Sequence, residues 1–430
     1  MDDHEHHDHG RRADGHDPGS AHAPEDRRAA ATRSAGRLRD HPAGRLLLGV
    51  VALVGVLTLV GLVVLWPSGD HDPGPGKQRP TVAATVVEAR AAPCAEGSSQ
   101  RCATVVATVD EGRDADRRVT IVLGPEGVAP SLEPGDAIRL SDQSPDPASG
   151  VPVEPGAEPV YAYSGVDRRI PLVALIAGFA LLGLLVARGR GLLALLGTGA
   201  SLALVVLWLV PSILDGHPPL LVAVVGALAV MFVTTALTYG VTAQSLAAVA
   251  GIGVSLSVAA LLGGLWLGLS GLDGTDSELG SFALQSGEAL PLQGILLAGM
   301  VIGALGVLTD TVVSQVSTVA ALHRTAPHLG ARELYREAFV VGRDHLAATI
   351  HTLVLAYAGA TLPLLLVASA NDVTFLDAVN DTTLAEPIVS TLVGSIALLL
   401  SVPLSTLLAA ILVGRLPAAA LGDGHAHHHH

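Results

Sequence analysis

Long runs of apolar residues, almost free of charge, recur along this chain and leave it few ways to fold. They fall at about 46–66, 170–187, 191–210, 219–238, 244–269, 291–309, 347–369 and 388–413. Each is close to the ~20 residues a helix needs to cross the apolar core of a bilayer. The runs predict a polytopic α-helical membrane protein of about eight transmembrane helices. Composition agrees, since half of the residues are hydrophobic but only 3% are aromatic. Leu, Val, Ala and Gly suit helices packed closely in lipid.

Polar segments divide the chain between these runs. Residues 1–44 read as a disordered His/Arg-rich tail, with too few apolar residues for a core. Residues 45–66 form the first helix, which starts too late for a signal peptide and ends at Trp66-Pro67 without a small-residue cleavage site. Residues 67–169 hold a small all-β domain between Pro-rich linkers at 67–80 and 142–168. Within 81–141, short Val/Ile/Thr runs alternate with turns at Gly112, Gly124-Pro125 and Pro134-Gly135-Asp136, which predicts about five strands in an OB-like barrel. Residues 170–414 carry the other seven helices, and 415–430 form a His-rich tail.

Charge in the short loops predicts orientation. Arg lies in the N-terminal tail, at 188–190, at 320–346 and at Arg415, whereas the loops 211–218, 270–290 and 370–387 carry no Lys or Arg. By the positive-inside rule both termini are cytoplasmic and the β domain is extracytoplasmic. Cys94 and Cys102 then lie in an oxidising compartment, where a disulfide can form. A net charge of −14 and the absence of a basic, aromatic-interleaved patch argue against nucleic-acid binding. No Walker A, H-E-x-x-H, G-x-S-x-G or Rossmann motif is found, and the expectation is a protein that is not an enzyme and has no identified cofactor.

Four groups of residues could carry chemistry. The run 299–315 places Asp310 in an apolar helix, with Ser314 and Ser317 on its face and Gln315 to one side. An acid in a membrane helix is expensive and usually has a role, here a cation or proton site; the plainer reading is that Asp310 sits in the interface at the cytoplasmic end of its span. The run 342–363 opens with Arg343, Asp344 and His345; Asp344 and His351 lie near one helix face and His345 on an adjacent one, a set that suits a proton relay, a soft-metal contact or simply a helix start. Acids at 372, 377, 381 and Glu386 ring the last outer loop, and a solvated acidic loop explains them best. The tails carry His4, His6, His7 and His9, and His425 and His427 to His430, whose imidazoles would suit zinc, nickel or copper. A C-terminal His run is also a common cloning remnant.

The chain resembles the YibE/F-like family of bacterial multi-pass membrane proteins. LTYGVTAQSLAAVAG (237–251), GMVIGALGVLTDTVVSQ (299–315), GRDHLAATIHTLVLAYAGATLPLLL (342–366) and EPIVSTLVGSIALLLSVPLSTLLAAIL (386–412) carry the resemblance, and the L-x-P-G-D turn at Leu132 to Asp136 extends it over about 80–420. It implies that Asp310, Gly342, Arg343, Asp344 and Glu386 match family motifs. His351 stands where Asn is more usual, and Thr309 where a bulkier apolar residue is more usual. The resemblance also implies a location in the bacterial cell membrane. The expected function is a secondary transporter or permease for a small solute or ion, with a divalent metal one candidate. The alternative is a scaffold, assembly or envelope-sensing component that meets a protein partner through the β domain. Gly-rich faces leave a homo-oligomer open.

Overall fold

A computed structural model describes residues 42–69, 81–94, 100–144, 160–239, 242–286, 290–371 and 373–414. Both tails, with every histidine of the metal-binding expectation, and most of the Pro-rich linkers lie outside these residues. The chain divides into two compact units, one of residues 72–192 with 285–287 and the other of the remaining helices.

The first unit contains a five-stranded antiparallel sheet. Strands β1 (Thr81–Pro93), β2 (Arg101–Val109), β3 (Arg118–Pro125), β4 (Ala137–Asp142) and β5 (Tyr161–Val166) lie in the order β3-β2-β1-β4-β5. Edge strands β3 and β5 approach each other, so the sheet curls into a half-barrel. Alternate side chains fill it: Ala84, Val86, Val105, Ala107, Val109, Ile138 and Leu140 are almost wholly buried. The register of β2 against β3 shifts between Ala103 and Thr104, where β3 carries one extra residue, Leu123, and both Cys102 and Val105 are buried. Cys94 and Cys102 form a disulfide across the β1–β2 end, with Cα atoms 4.9 Å apart. The segment read as a linker at 142–168 contains β5. Its YAYSGV is short, and the Pro-rich text before it hides the strand signal.

The 110–117 loop is fastened by ions. Arg139, mostly buried, bonds Thr81 and Glu111, and Glu111 also accepts from the Ala83 amide at 2.8 Å. The Arg139 guanidinium holds the Glu111 carboxyl below the usual carboxylate range. Asp114 accepts from Arg117 and from the Tyr161 hydroxyl, each at 3.0 Å. Burial, then the Asp114 bond, pushes the Tyr161 hydroxyl up to about 12.

Among the described residues, eight helical stretches are long and apolar enough to cross a membrane. They are α1 (Pro42–Val64), two spans in α2 (Arg169–Leu204) and its continuation, α4 (Pro219–Tyr239), α5 (Ala243–Ser270), α7 (Leu292–Thr325), α8 (Ala331–Ala370) and α10 (Thr382–Val413). Short helices α3 (Val210–Leu214), α6 (Glu278–Ser286) and α9 (Phe375–Asn380) lie between them. α2 is helical through 188–190 yet bends there, because a Cβ on Gly191 would strike the Gly183 carbonyl. In a straight helix those residues are ~12 Å apart along the axis.

The 320–346 segment is no loop. α7 continues to Thr325 and α8 begins at Ala331, where Glu333 accepts from the Gly330 amide at 3.0 Å. Ser314, Gln315, Ser317 and Thr318 lower the local hydropathy but stay helical, so the apolar pattern breaks where the helix does not.

Packing pairs fix the directions of the helices. Gly55 meets Phe232 and Gly61 meets Val225, so α1 and α4 are antiparallel. Gly251 of α5 meets Val312 of α7 and Ser405 of α10, while Gly263 meets Leu297 and Val393, so α5 runs against both. A Cβ at Gly251 would lie 2.8 Å from Val312, so only glycine allows this approach. The end of α1 is bonded sideways: Trp208, in a π-helical turn at Val205–Leu209, donates to Leu62 O, and Ser212 donates to Leu65 O at 2.7 Å.

Tyr161 has its pKa raised on folding, so the stability it contributes is complete below pH 10 and is lost as pH rises through about 12. Tyr161→Phe should remove the highest-pH component of tyrosinate absorbance. It should also flatten the fall in Tm across that window, at a cost on the order of 1 kcal/mol near neutrality for the lost hydrogen bond.

Candidate functional site

The sequence places its acids and histidines in the helices as candidates, and the structure separates them. Asp310 lies midway along α7, not at its end. Leu308 below it joins Ala259 and Ala397 in one buried cluster, and Val312 above it meets Gly251. Its side chain is 79% exposed and points away from the core of the unit, and the His345 Nε2 of α8 lies 3.9 Å from its carboxylate. Arg343, Asp344 and His351 are exposed, and Ser314 and Glu386 are half-buried. Asp310 and His345 are therefore a pair, but Asp344 and His351 do not join them. Around the 370–387 loop the acids serve helix starts: the Asp377 carboxylate accepts from the hydroxyl of Thr374, the N-cap of α9, and Asp381 caps α10, accepting from the Thr383 amide. The Thr383 donors hold the Asp381 carboxyl below its usual range. Asp372 lies outside the described residues. Among the described residues no cluster of His, Cys, Asp and Glu could hold a metal ion.

Uncharged polar side chains come together instead, where α5, α7, α8 and α10 meet. Gln315, the residue that the sequence sets to one side of Asp310, is fully buried. Its amide lies 3.0 Å from the Thr406 hydroxyl of α10. Gly342 of α8 faces the same amide, and a Cβ there would sit 2.6 Å from Gln315 Oε1. Thr311, one turn along α7, and Ser255 of α5 are also fully buried. Both hydroxyls, one amide atom of Gln315 and the Ser395 hydroxyl have no hydrogen-bond partner. The levels agree: Ser255 lies between Gly251 and Ala259, Thr311 between Leu308 and Val312, and Ser401 between Ala397 and Ser405. A second bond joins α5 and α7 at one end, from Gln244 Nε2 to Ser317 Oγ at 2.6 Å.

A buried polar atom without a partner costs about 1–3 kcal/mol. Ser255 and Thr311 at one level, with Gln315 one turn further along α7, form a polar layer that can bond something else. Thr311 and Thr406 fall within the stretches 299–315 and 386–412 without standing out there, and Ser255 falls in none of the four. The available signal is a set of hydroxyls at helical spacing within apolar runs, and hydropathy averages them away.

Apolar spans around a buried, uncharged polar layer define a multi-span helical membrane protein. A family model described as YibE/F-like protein matches residues 175–415, more than half the chain, and the chain belongs to that family. The match begins beyond the β domain, so it covers less than the 80–420 expected from the motifs. Neither curated proteins nor solved structures returned a match.

Gly342→Ala should push the Gln315 amide off Thr406 and lower unfolding stability in detergent by about 1–3 kcal/mol. Combined with Gln315→Ala, which removes the obstructed group, the two costs should be clearly less than additive in a double-mutant cycle.

Proposed function

We propose that this protein is a secondary transporter or permease for a small solute or ion, placed in the cell membrane of a bacterium with both termini in the cytoplasm. The observation that supports the reading is the layer of buried, unpartnered polar atoms at Ser255, Thr311 and Gln315, at the meeting of four helices. A bundle that served only as an anchor would gain stability from apolar residues at those positions. The layer offers polar partners to something that crosses, and the small residues around it let the helices lie close. Asp310 and His345, on the outer side of α7, are the ionisable groups best placed to couple such movement to protons. No catalytic step belongs to this reading. Metal delivery by the histidine tails would be an accessory to it.

A second reading keeps one observation of its own. The β half-barrel is a separate compact unit with its own core and disulfide. Its strand order and the approach of β3 to β5 support an OB-like barrel, which would bind a partner outside the cell. Deleting residues 81–166 separates the two roles, because a scaffold loses its phenotype and a permease keeps flux.

The test is flux of a panel of small solutes and ions into vesicles reconstituted with the full chain. Gln315→Leu and the pair Ser255→Ala with Thr311→Val should lower the rate at least tenfold while the proteins still purify as folded monodisperse species. Asp310→Asn should abolish dependence on a proton gradient. Wild-type flux in all of these variants would overturn the reading.

A further inference from the structure

Asp310 is in an impossible place for a single copy in lipid. It lies two residues from Leu308, which packs with Ala259 and Ala397 near the middle of α5 and α10. Its depth is therefore close to the centre of the span, and its carboxylate is exposed on the outer side of the bundle. A carboxylate at that depth is costly unless protein or water covers it. His345 does not complete it. Its Nε2 stands 3.9 Å away, too far for a hydrogen bond, and has no hydrogen-bond partner.

The face that carries Asp310 is shaped for another helix. Gly299, Gly303 and Gly306 precede it at helical spacing, and all three are exposed. A Cβ on Gly299 or Gly306 would meet nothing within 4 Å, and one on Gly303 would meet only the Tyr357 hydroxyl at 3.8 Å. Such a row lets a neighbouring backbone come close. α8 beside it is also short of neighbours, since no residue beyond Leu346 is buried in that helix.

Charge selects the occupant. The first span of α2 has no polar side chain from Pro171 to Ala187, so it has nothing to offer a carboxylate. A second copy has. Two copies inserted the same way meet around an axis along the membrane normal, and residues then meet residues of their own depth. Asp310 and His345 share one depth, so the acid of each copy meets the base of the other, while glycine row lies on glycine row. We infer that two copies of this chain pair through the α7 face of Gly299, Gly303, Gly306 and Asp310, with His345 of α8 at its rim. The pairing does not depend on the permease reading, and a dimer without flux of any solute would leave it standing.

Disulfide cross-linking of the full chain in lipid vesicles tests it, because Cys94 and Cys102 are bonded to each other and do not compete. Gly299→Cys and Gly306→Cys, whose side chains enter open space, should each give a covalent dimer on mild oxidation. Leu261→Cys should not, although it is 75% exposed and lies near the same depth on α5. Energy transfer between donor- and acceptor-labelled copies, followed as lipid is added, gives a second measure. Gly303→Leu and Asp310→Leu should each weaken association by about tenfold or more. Cross-linking in neither glycine variant, or equally at Leu261, would overturn the inference. Glycine-row cysteines that react with a water-soluble thiol reagent but do not cross-link would show a water-filled crevice there instead. Cysteines that do neither would show lipid or the first span of α2, and both results defeat the pairing.

Discussion

Within the helical unit a side-chain hydrogen has only protein oxygen to bond, and most of the hydroxyls answer by donating to the carbonyl one turn back. Thr58, Ser201, Thr234, Thr318, Thr391 and Thr406 all do so. This keeps polar residues inside apolar helices without breaking them. It also leaves their oxygens as acceptors facing the neighbouring helix. Where Gln315 meets Thr406, the habit determines which way the amide turns and which atom is left over. The exceptions, Ser255, Thr311 and Ser395, are informative because the same local bond is open to them and is not made. Close approach at Gly251 brings Ser255 and Thr311 to one level, and Gly342 lets α8 lie against Gln315 one turn further along α7. Without those glycines, α5 and α8 would stand off from α7 and the layer would not exist.

The eight spans and the antiparallel β domain were legible in the sequence because their signals are long or repeated. Hydropathy over ~20 residues is hard to mistake, and the Val/Thr alternation from Thr81 to Leu140 is a strand pattern. Helix ends were much less legible. A run of Ser314, Gln315, Ser317 and Thr318 reads as an interface, yet α7 carries all four inward of its end at Thr325. The same error moved Asp310 from mid-helix to an edge. β5 went unread because six residues after a proline-rich stretch carry little periodicity.

The candidate site was legible only in part. Formal charge drew attention to Asp310, Asp344, His345, His351 and Glu386, and of these the structure brings together Asp310 and His345. Charge is conspicuous in an apolar run and a hydroxyl is not, because a hydroxyl can satisfy itself on its own helix. Which hydroxyls fail to do so depends on rotamer and neighbour, which no spacing rule encodes. The two units divide the stabilising interactions in the same way. The β half-barrel uses ion pairs and a disulfide. The helical unit uses close packing and side-chain bonds to backbone oxygen.

The central claim is that the polar level between α5, α7 and α10 is open to water or solute while the apolar level beside it is dry. Single cysteines report this directly, since Cys94 and Cys102 are bonded to each other. Ser255→Cys and Thr311→Cys, in reconstituted vesicles, should react with a small water-soluble thiol reagent. Ala259→Cys, four residues along α5 in a wholly apolar cluster, should stay unreactive. Labelling at Ala259 equal to that at Ser255 and Thr311, or labelling at none of the three, would contradict the account.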